Sequence, residues 1–208
     1  SDSVSAHIAT LRTASSISLN AVPSGSGISI DEESINVATT CRSGYNLSVA
    51  TSTSPDLYLN GDGTSTATFT AVDGTSTLAN STNKWGYTLT SNASSSTIFS
   101  PLSTTASALK TPSQTASQTD IDDTFSIYYG TKVADSVAPG SYQMASNGAI
   151  VYYLTMDATC TEYIVSFNAN GGTGAVANQG VQEGIATKLS SADTLTAPTG
   201  ASYTDADN

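Results

Sequence analysis

The chain has 208 residues, 38% of them hydrophobic and only 11% charged, with a formal net charge of −11 at pH 7. Its basic residues are scattered as Arg12, Arg42, Lys84, Lys110, Lys132 and Lys188, so no patch can neutralise phosphates; this excludes nucleic-acid partners and disfavours anionic membrane surfaces. No apolar run reaches membrane-spanning length, and polarity comes from Ser and Thr, about a third of the chain, which suit strands and the turns between them.

Residues 1–16 read as an N-terminal arm, either disordered or loosely docked. Ile8 and Leu11 have helical spacing, but the segment is short and uncapped. His7, the single histidine, sits there without a fixed neighbour, so a Ser-His-Asp triad has no oriented imidazole. Both ends start and stop in polar sequence, and the chain reads as a fragment of something longer.

From residue 17 to 158 a period of two dominates, which predicts a domain of short strands. In chain order the alternating pairs are Ile17/Leu19, Ile28/Ile30, Ile35/Val37, Tyr45/Leu47/Val49, then a hairpin over 56–72 turning at Asn60-Gly61-Asp62-Gly63. Trp85/Tyr87/Leu89 and Phe125/Ile127/Tyr129 follow, then two strands around Ser146-Asn147-Gly148 that carry Tyr152 and Leu154. The predicted core is Tyr45, Leu47, Trp85, Tyr87, Phe125, Ile127, Tyr152 and Leu154. Residues 100–120 are low in large apolar groups and read as a long surface connection. The fold class is all-β, an Ig-like or jelly-roll-like β-sandwich. After Cys160 the pattern changes: Tyr163, Val165 and Phe167 alternate, a Gly-rich turn follows, and a weak strand surrounds Val181.

Cys41 shares parity with Tyr45, Leu47 and Val49, and Cys160 with Tyr152, Leu154 and Met156. Both thiols therefore belong to faces that carry large apolar side chains. They form a disulfide or lie as two buried free thiols; an even count in a chain of secreted character favours the bond. Trp85 fills the core or serves as a sugar-stacking platform. Gly86, on the opposite face, lets another backbone approach. Glu32, Glu33, Asp120, Asp122 and Asp123 are the acids a glycosidase would use, but they fall in turn-like segments and read as solvated loop charges. Asn60 with Asp62, and Asp120 with Asp122 and Asp123, supply loop oxygens for a calcium ion, without EF-hand spacing. Calcium is the one cofactor for which the sequence offers ligands. Lys132 flanks a core strand with outward parity, which argues against a buried isopeptide lysine. If Tyr128 and Tyr153 face outward on adjacent strands, they form an aromatic patch able to contact a glycan or protein; the alternative is an ordinary cross-strand pair.

Two resemblances follow from these residues. Phe167, Ala169, Asn170, Gly171, Gly172, Gly174, Glu183, Gly184 and Leu189 resemble the opening of a Listeria–Bacteroides repeat, a β-grasp-like module of bacterial surface proteins such as internalins. The later aromatic strand of that pattern is missing, so residues 159–208 are expected to hold a partial repeat. Gly44, Tyr45, Leu47, Trp85, Gly86, Tyr87, Gly130, Lys132, Val133, Gly140 and Tyr142 resemble a β-sandwich module of large bacterial cell-surface proteins. That resemblance implies surface display, often in tandem with other modules. The expected function is a non-catalytic, extracellular structural or adhesive module at the cell surface that contacts a host protein or glycan. The alternative is a carbohydrate-binding module attached to an enzyme elsewhere in the parent chain.

Overall fold

The computed structural model describes residues 7–13, 17–23, 28–64, 68–80, 82–112, 119–134, 136–158, 160, 162–165, 173–174 and 179–182. The chain is all-β: no α-helix occurs among the described residues. In chain order the strands are β1 (Ala9–Thr13), β2 (Ile28–Thr39), β3 (Tyr45–Thr51), β4 (Leu57–Leu59), β5 (Thr68–Ala71), β6 (Ser76–Thr77), β7 (Lys84–Thr88), β8 (Ile98–Phe99), β9 (Ser107–Lys110), β10 (Ile121–Lys132), β11 (Tyr142–Met144), β12 (Ile150–Met156), β13 (Glu162–Val165) and β14 (Gln179–Gln182). Seven of them form one sheet in the order β1-β2-β10-β7-β5-β4-β11, and β12-β3-β9 form a second. The core lies between these two sheets.

The period of two explains the packing. Odd-numbered residues point inward on β2 (Ile35, Val37), β3 (Tyr45, Leu47, Val49), β7 (Trp85, Tyr87) and β10 (Ile127, Tyr129), and all are buried. Phe125, Tyr152 and Leu154 are half-buried and pack against this cluster. Each fully buried large side chain contributes about 1.5–3 kcal/mol. A surface ion pair contributes about 0–1 kcal/mol, so apolar burial dominates here.

A second, smaller cluster of Val72, Leu78 and Phe99 covers the outer face of the large sheet, with Ile30 against it. This explains why Ile28 and Ile30 have the opposite parity to Ile35 and Val37. They belong to one twelve-residue strand, whose first part is covered on both faces. The β4–β5 hairpin forms as the sequence predicts, with Asn60 (φ 55°) and Gly61 (φ 67°) in the left-handed region.

Three expectations need correction. Within the arm of residues 1–16, Ala9–Thr13 is an edge strand paired with β2 in register Ala9↔Thr39 to Thr13↔Ile35. The free ladder of β2 outweighs a weak local helical tendency, and Leu11 packs against the core. Residues 100–120 are more than a surface connection: Leu102 is buried and Ser107–Lys110 pairs with β3. A strand anchored by ladder bonds needs few large side chains, which is why composition hid it. Glu32, Glu33, Asp122 and Asp123 lie within β2 and β10, not in turns. At the C-terminal end β13 and β14 pair antiparallel, Tyr163 opposite Val181. Of the repeat-like positions, Phe167, Ala169, Asn170, Gly171, Gly172, Glu183, Gly184 and Leu189 lie outside the described residues.

Candidate functional site

Two sequence candidates prove structural. Cys41, after β2, and Cys160, after β12, form a disulfide with Cα atoms 5.6 Å apart. It ties a strand of the large sheet to one of the small sheet. Trp85 is only 4% exposed, and its indole N–H donates to the Pro55 carbonyl at 2.8 Å. Pairing with β10 and β5 points this ring inward, so it packs the core and presents no sugar-stacking face.

The open surface lies elsewhere. Strand β7 ends at Thr88, opposite Tyr128 of β10, and the chain turns away at Asn92 (φ 54°). Strand β9 is the last strand of the small sheet on the same side. Between them is a depression of about 430 Å³ lined by Leu89, Ser91, Leu109, Lys110, Phe125, Ser126 and Tyr128. Leu89 is 47% exposed there. An adjoining depression of about 400 Å³ shares Lys110 and adds Arg42, Tyr45, Asp120, Asp122 and Asp123. The two depressions meet at Lys110 and together form the groove, apolar on the Tyr128 side and charged on the disulfide side.

The charged end is internally matched. Arg42 Nε lies 3.3 Å from Asp120 Oδ1, and Lys110 Nζ lies 3.2 Å from Asp123 Oδ2. Tyr45 donates its hydroxyl to Asp123 at 2.9 Å. Burial, reinforced by that carboxylate, pushes the Tyr45 hydroxyl above its ordinary ionisation range. Asp122 projects from the other face of β10 and accepts a hydrogen bond from Asn36 Nδ2 at 2.7 Å. The calcium reading of Asp120, Asp122 and Asp123 is thereby weakened: alternation sends two neighbours to opposite faces, and two of the three carboxylates face cations. At the other candidate, Asp62 Oδ1 accepts the backbone N–H of Thr64 at 2.9 Å, beside an exposed Asn60. Among the described residues no group of three His, Cys, Asp or Glu side chains is placed to hold a metal ion.

Tyr128 lines the groove, but Tyr153 does not join it. Tyr153 is 55% exposed on β12 of the small sheet, whereas Tyr128 lies on β10 of the large one. The expected aromatic patch is corrected for this reason. Between β11 and β12 the chain crosses from one sheet to the other at Ser146-Asn147, both with positive φ. His7 does have a neighbour: its Nδ1 lies 3.3 Å from Thr40 Oγ1. Lys132 takes the outer face as its parity predicts and donates to the Ala79 carbonyl at 2.7 Å.

One polar constellation escaped the sequence reading. Glu33, only 6% exposed, accepts the Tyr152 hydroxyl of the opposite sheet. The Tyr152 and Tyr129 hydroxyl oxygens are 2.6 Å apart. Desolvation raises the Glu33 pKa above its ordinary value, against the lowering effect of the tyrosine hydroxyls. Burial also pushes both tyrosines up. The signal was present: Glu33 shares odd parity with Ile35 and Val37.

Fold and site together define an all-β, disulfide-bonded sandwich with a groove open along one side. Comparison of the chain with family models, with curated proteins and with solved structures returns no match.

Proposed function

We propose that the chain is a non-catalytic structural and adhesive module of a bacterial surface protein, displayed outside the cell and contacting a host protein or glycan through the groove. The observation that carries this reading is the groove itself: Leu89, Leu109, Phe125 and Tyr128 form an accessible apolar surface, while Tyr45, Phe69, Trp85, Tyr87 and Tyr129 are buried in the core. The disulfide supports an oxidising, extracellular setting. Acids matched to basic or amide partners support a binding surface over a reaction centre. The antiparallel pair of β13 and β14 supports a partial Listeria–Bacteroides-type repeat in tandem with the sandwich.

A second reading, a carbohydrate-binding module beside an enzyme of the parent chain, is favoured by Tyr128, whose ring borders the groove. Binding of the purified chain to cells and to a glycan array tests both. Leu89→Ser and Tyr128→Ser should lower the signal, and Tyr153→Ser should not. Signal unchanged by the two groove variants would overturn the assignment of the contact surface.

A further inference from the structure

We infer that the groove is an acceptor for an extended peptide strand, supplied by a different protein, which pairs with the free side of β10. This rests on the adhesive reading above and names the partner class for the same groove.

The argument starts from the direction of the backbone groups. Tyr87 exchanges both of its backbone hydrogen bonds with Ser100, at 3.0 and 2.7 Å. Its N–H and C=O therefore face away from β10. Groups alternate along a strand, so those of Gly86 and Thr88 face β10 and meet Gly130 and Tyr128. Even-numbered residues of β10 thus direct their backbone groups to the β7 side, and odd-numbered ones direct theirs to β2.

Strand β2 accompanies β10 along its whole length, from Ile121↔Thr39 to Lys132↔Ile28. Strand β7 accompanies it only from Tyr128 onward. The N–H and C=O groups of Asp122, Thr124 and Ser126 consequently point to a side where no strand lies among the described residues. That open stretch covers Ile121–Ile127, about 20 Å of strand. A row of unpaired main-chain groups in regular register is a template for another strand.

The flanking side chains define what that strand carries. Residues opposite Phe125 would point inward, onto Phe125 and Leu109, and need to be apolar. Residues opposite Asp122 and Thr124 would point outward, beside Asp122 and Tyr128, and are polar. The charged end holds three acids, Asp120, Asp122 and Asp123, against Arg42 and Lys110, which favours a basic residue there. A net charge of −11 disfavours a second copy of this chain as the occupant. A ladder of backbone groups along the open side of β10, beside walls that are both aliphatic and aromatic, suits a strand better than a sugar ring.

The test uses an acetylated, amidated, dye-labelled peptide, Lys-Thr-Val-Thr-Val-Thr-Val, titrated with the 208-residue chain and read by fluorescence anisotropy. Saturable binding is expected, falling about tenfold or more when alternate peptide nitrogens are methylated so that the ladder cannot form. Thr124→Pro should weaken binding by a similar factor because its lost N–H faces the open side, whereas Thr124→Val, which loses the same hydroxyl contact with Asn36 Nδ2 at 3.1 Å but keeps the N–H, should bind as the parent does. Equal binding of the methylated peptide, which needs no variant to fold, overturns the proposal. So does the absence of saturation up to about 1 mM. Glycan binding lost in Tyr128→Ser, without peptide binding, overturns the strand proposal and leaves the adhesive reading standing. Failure to bind peptide, glycan and cells removes both.

Discussion

Gly86 of β7 and Gly130 of β10 are direct cross-strand partners, and together they form a floor for the Phe99 side chain. A Cβ at position 130 would lie 2.6 Å from Phe99 Cε1, and one at position 86 would lie 2.6 Å from the Ser100 carbonyl oxygen. The absence of two side chains lets β8 and the turn before it close over the outer face of the large sheet. Phe99 is fully buried as a result.

Gly130→Ala and Gly86→Ala are therefore expected to destabilise the fold by about 1–3 kcal/mol each, through overpacking. The Gly86 variant should cost more, since its nearest obstacle is the Ser100 backbone, whereas at Gly130 the obstacles are the ends of the Phe99 and Leu78 side chains. Urea midpoints measure this. The two changes share a neighbour, so the double variant should deviate from additivity; additive costs would argue against a shared floor.

Glu33 predicts a pH dependence. Below its ordinary value of 4.5 both folded and unfolded chains hold the proton. As pH rises past that value the unfolded chain releases its proton first, while buried Glu33 retains it. The unfolded state then binds fewer protons, so stability falls with rising pH until folded Glu33 also ionises. Glu33→Gln keeps an acceptor for Tyr152 and removes this slope. Its stability relative to the parent should increase between about pH 4 and pH 7 in urea titrations. Parallel profiles for the two proteins would reject the mechanism.

Reduction of Cys41–Cys160 opens a cross-link with a sequence separation of 119. The chain-entropy model assigns about 4–5 kcal/mol to such a loop. Replacing both cysteines by Ser should lower the urea midpoint accordingly, and adding reductant to the parent should reproduce that loss. An unchanged midpoint in either experiment would show that the sandwich does not depend on the link.

Trp85 supplies an optical check. Its indole is buried and donates to Pro55, so its native fluorescence should resist acrylamide and become quenchable on unfolding. Trp85→Phe loses that hydrogen bond and leaves a void, costing about 1–3 kcal/mol. Quenching as efficient in the native protein as in urea would place the ring in water and restore the sugar-platform reading.

The strand grammar and most of the core were legible in the sequence. Alternation along one strand fixes which side chains share a face, and Tyr45, Leu47, Trp85, Tyr87 and Ile127 are buried as that rule predicts. The same rule aligned the two cysteines with apolar faces and put Gly86 on the opposite face from Trp85. It also placed Glu33 inward, a consequence missed because a charge invites a solvent assignment. Ala9–Thr13 and Ser107–Lys110 were not legible, because their order comes from the ladders of β2 and β3 and hardly from their own composition.

Local periodicity assigns a face to each residue, but it carries no information about which strand lies alongside. That choice belongs to the tertiary structure. It separated Tyr128 from Tyr153, joined Glu33 to Tyr152 across the core, and ended β7 halfway along β10. The groove follows from that last mismatch in strand length, which arises only when distant segments pair and so has no signature in any single stretch of chain.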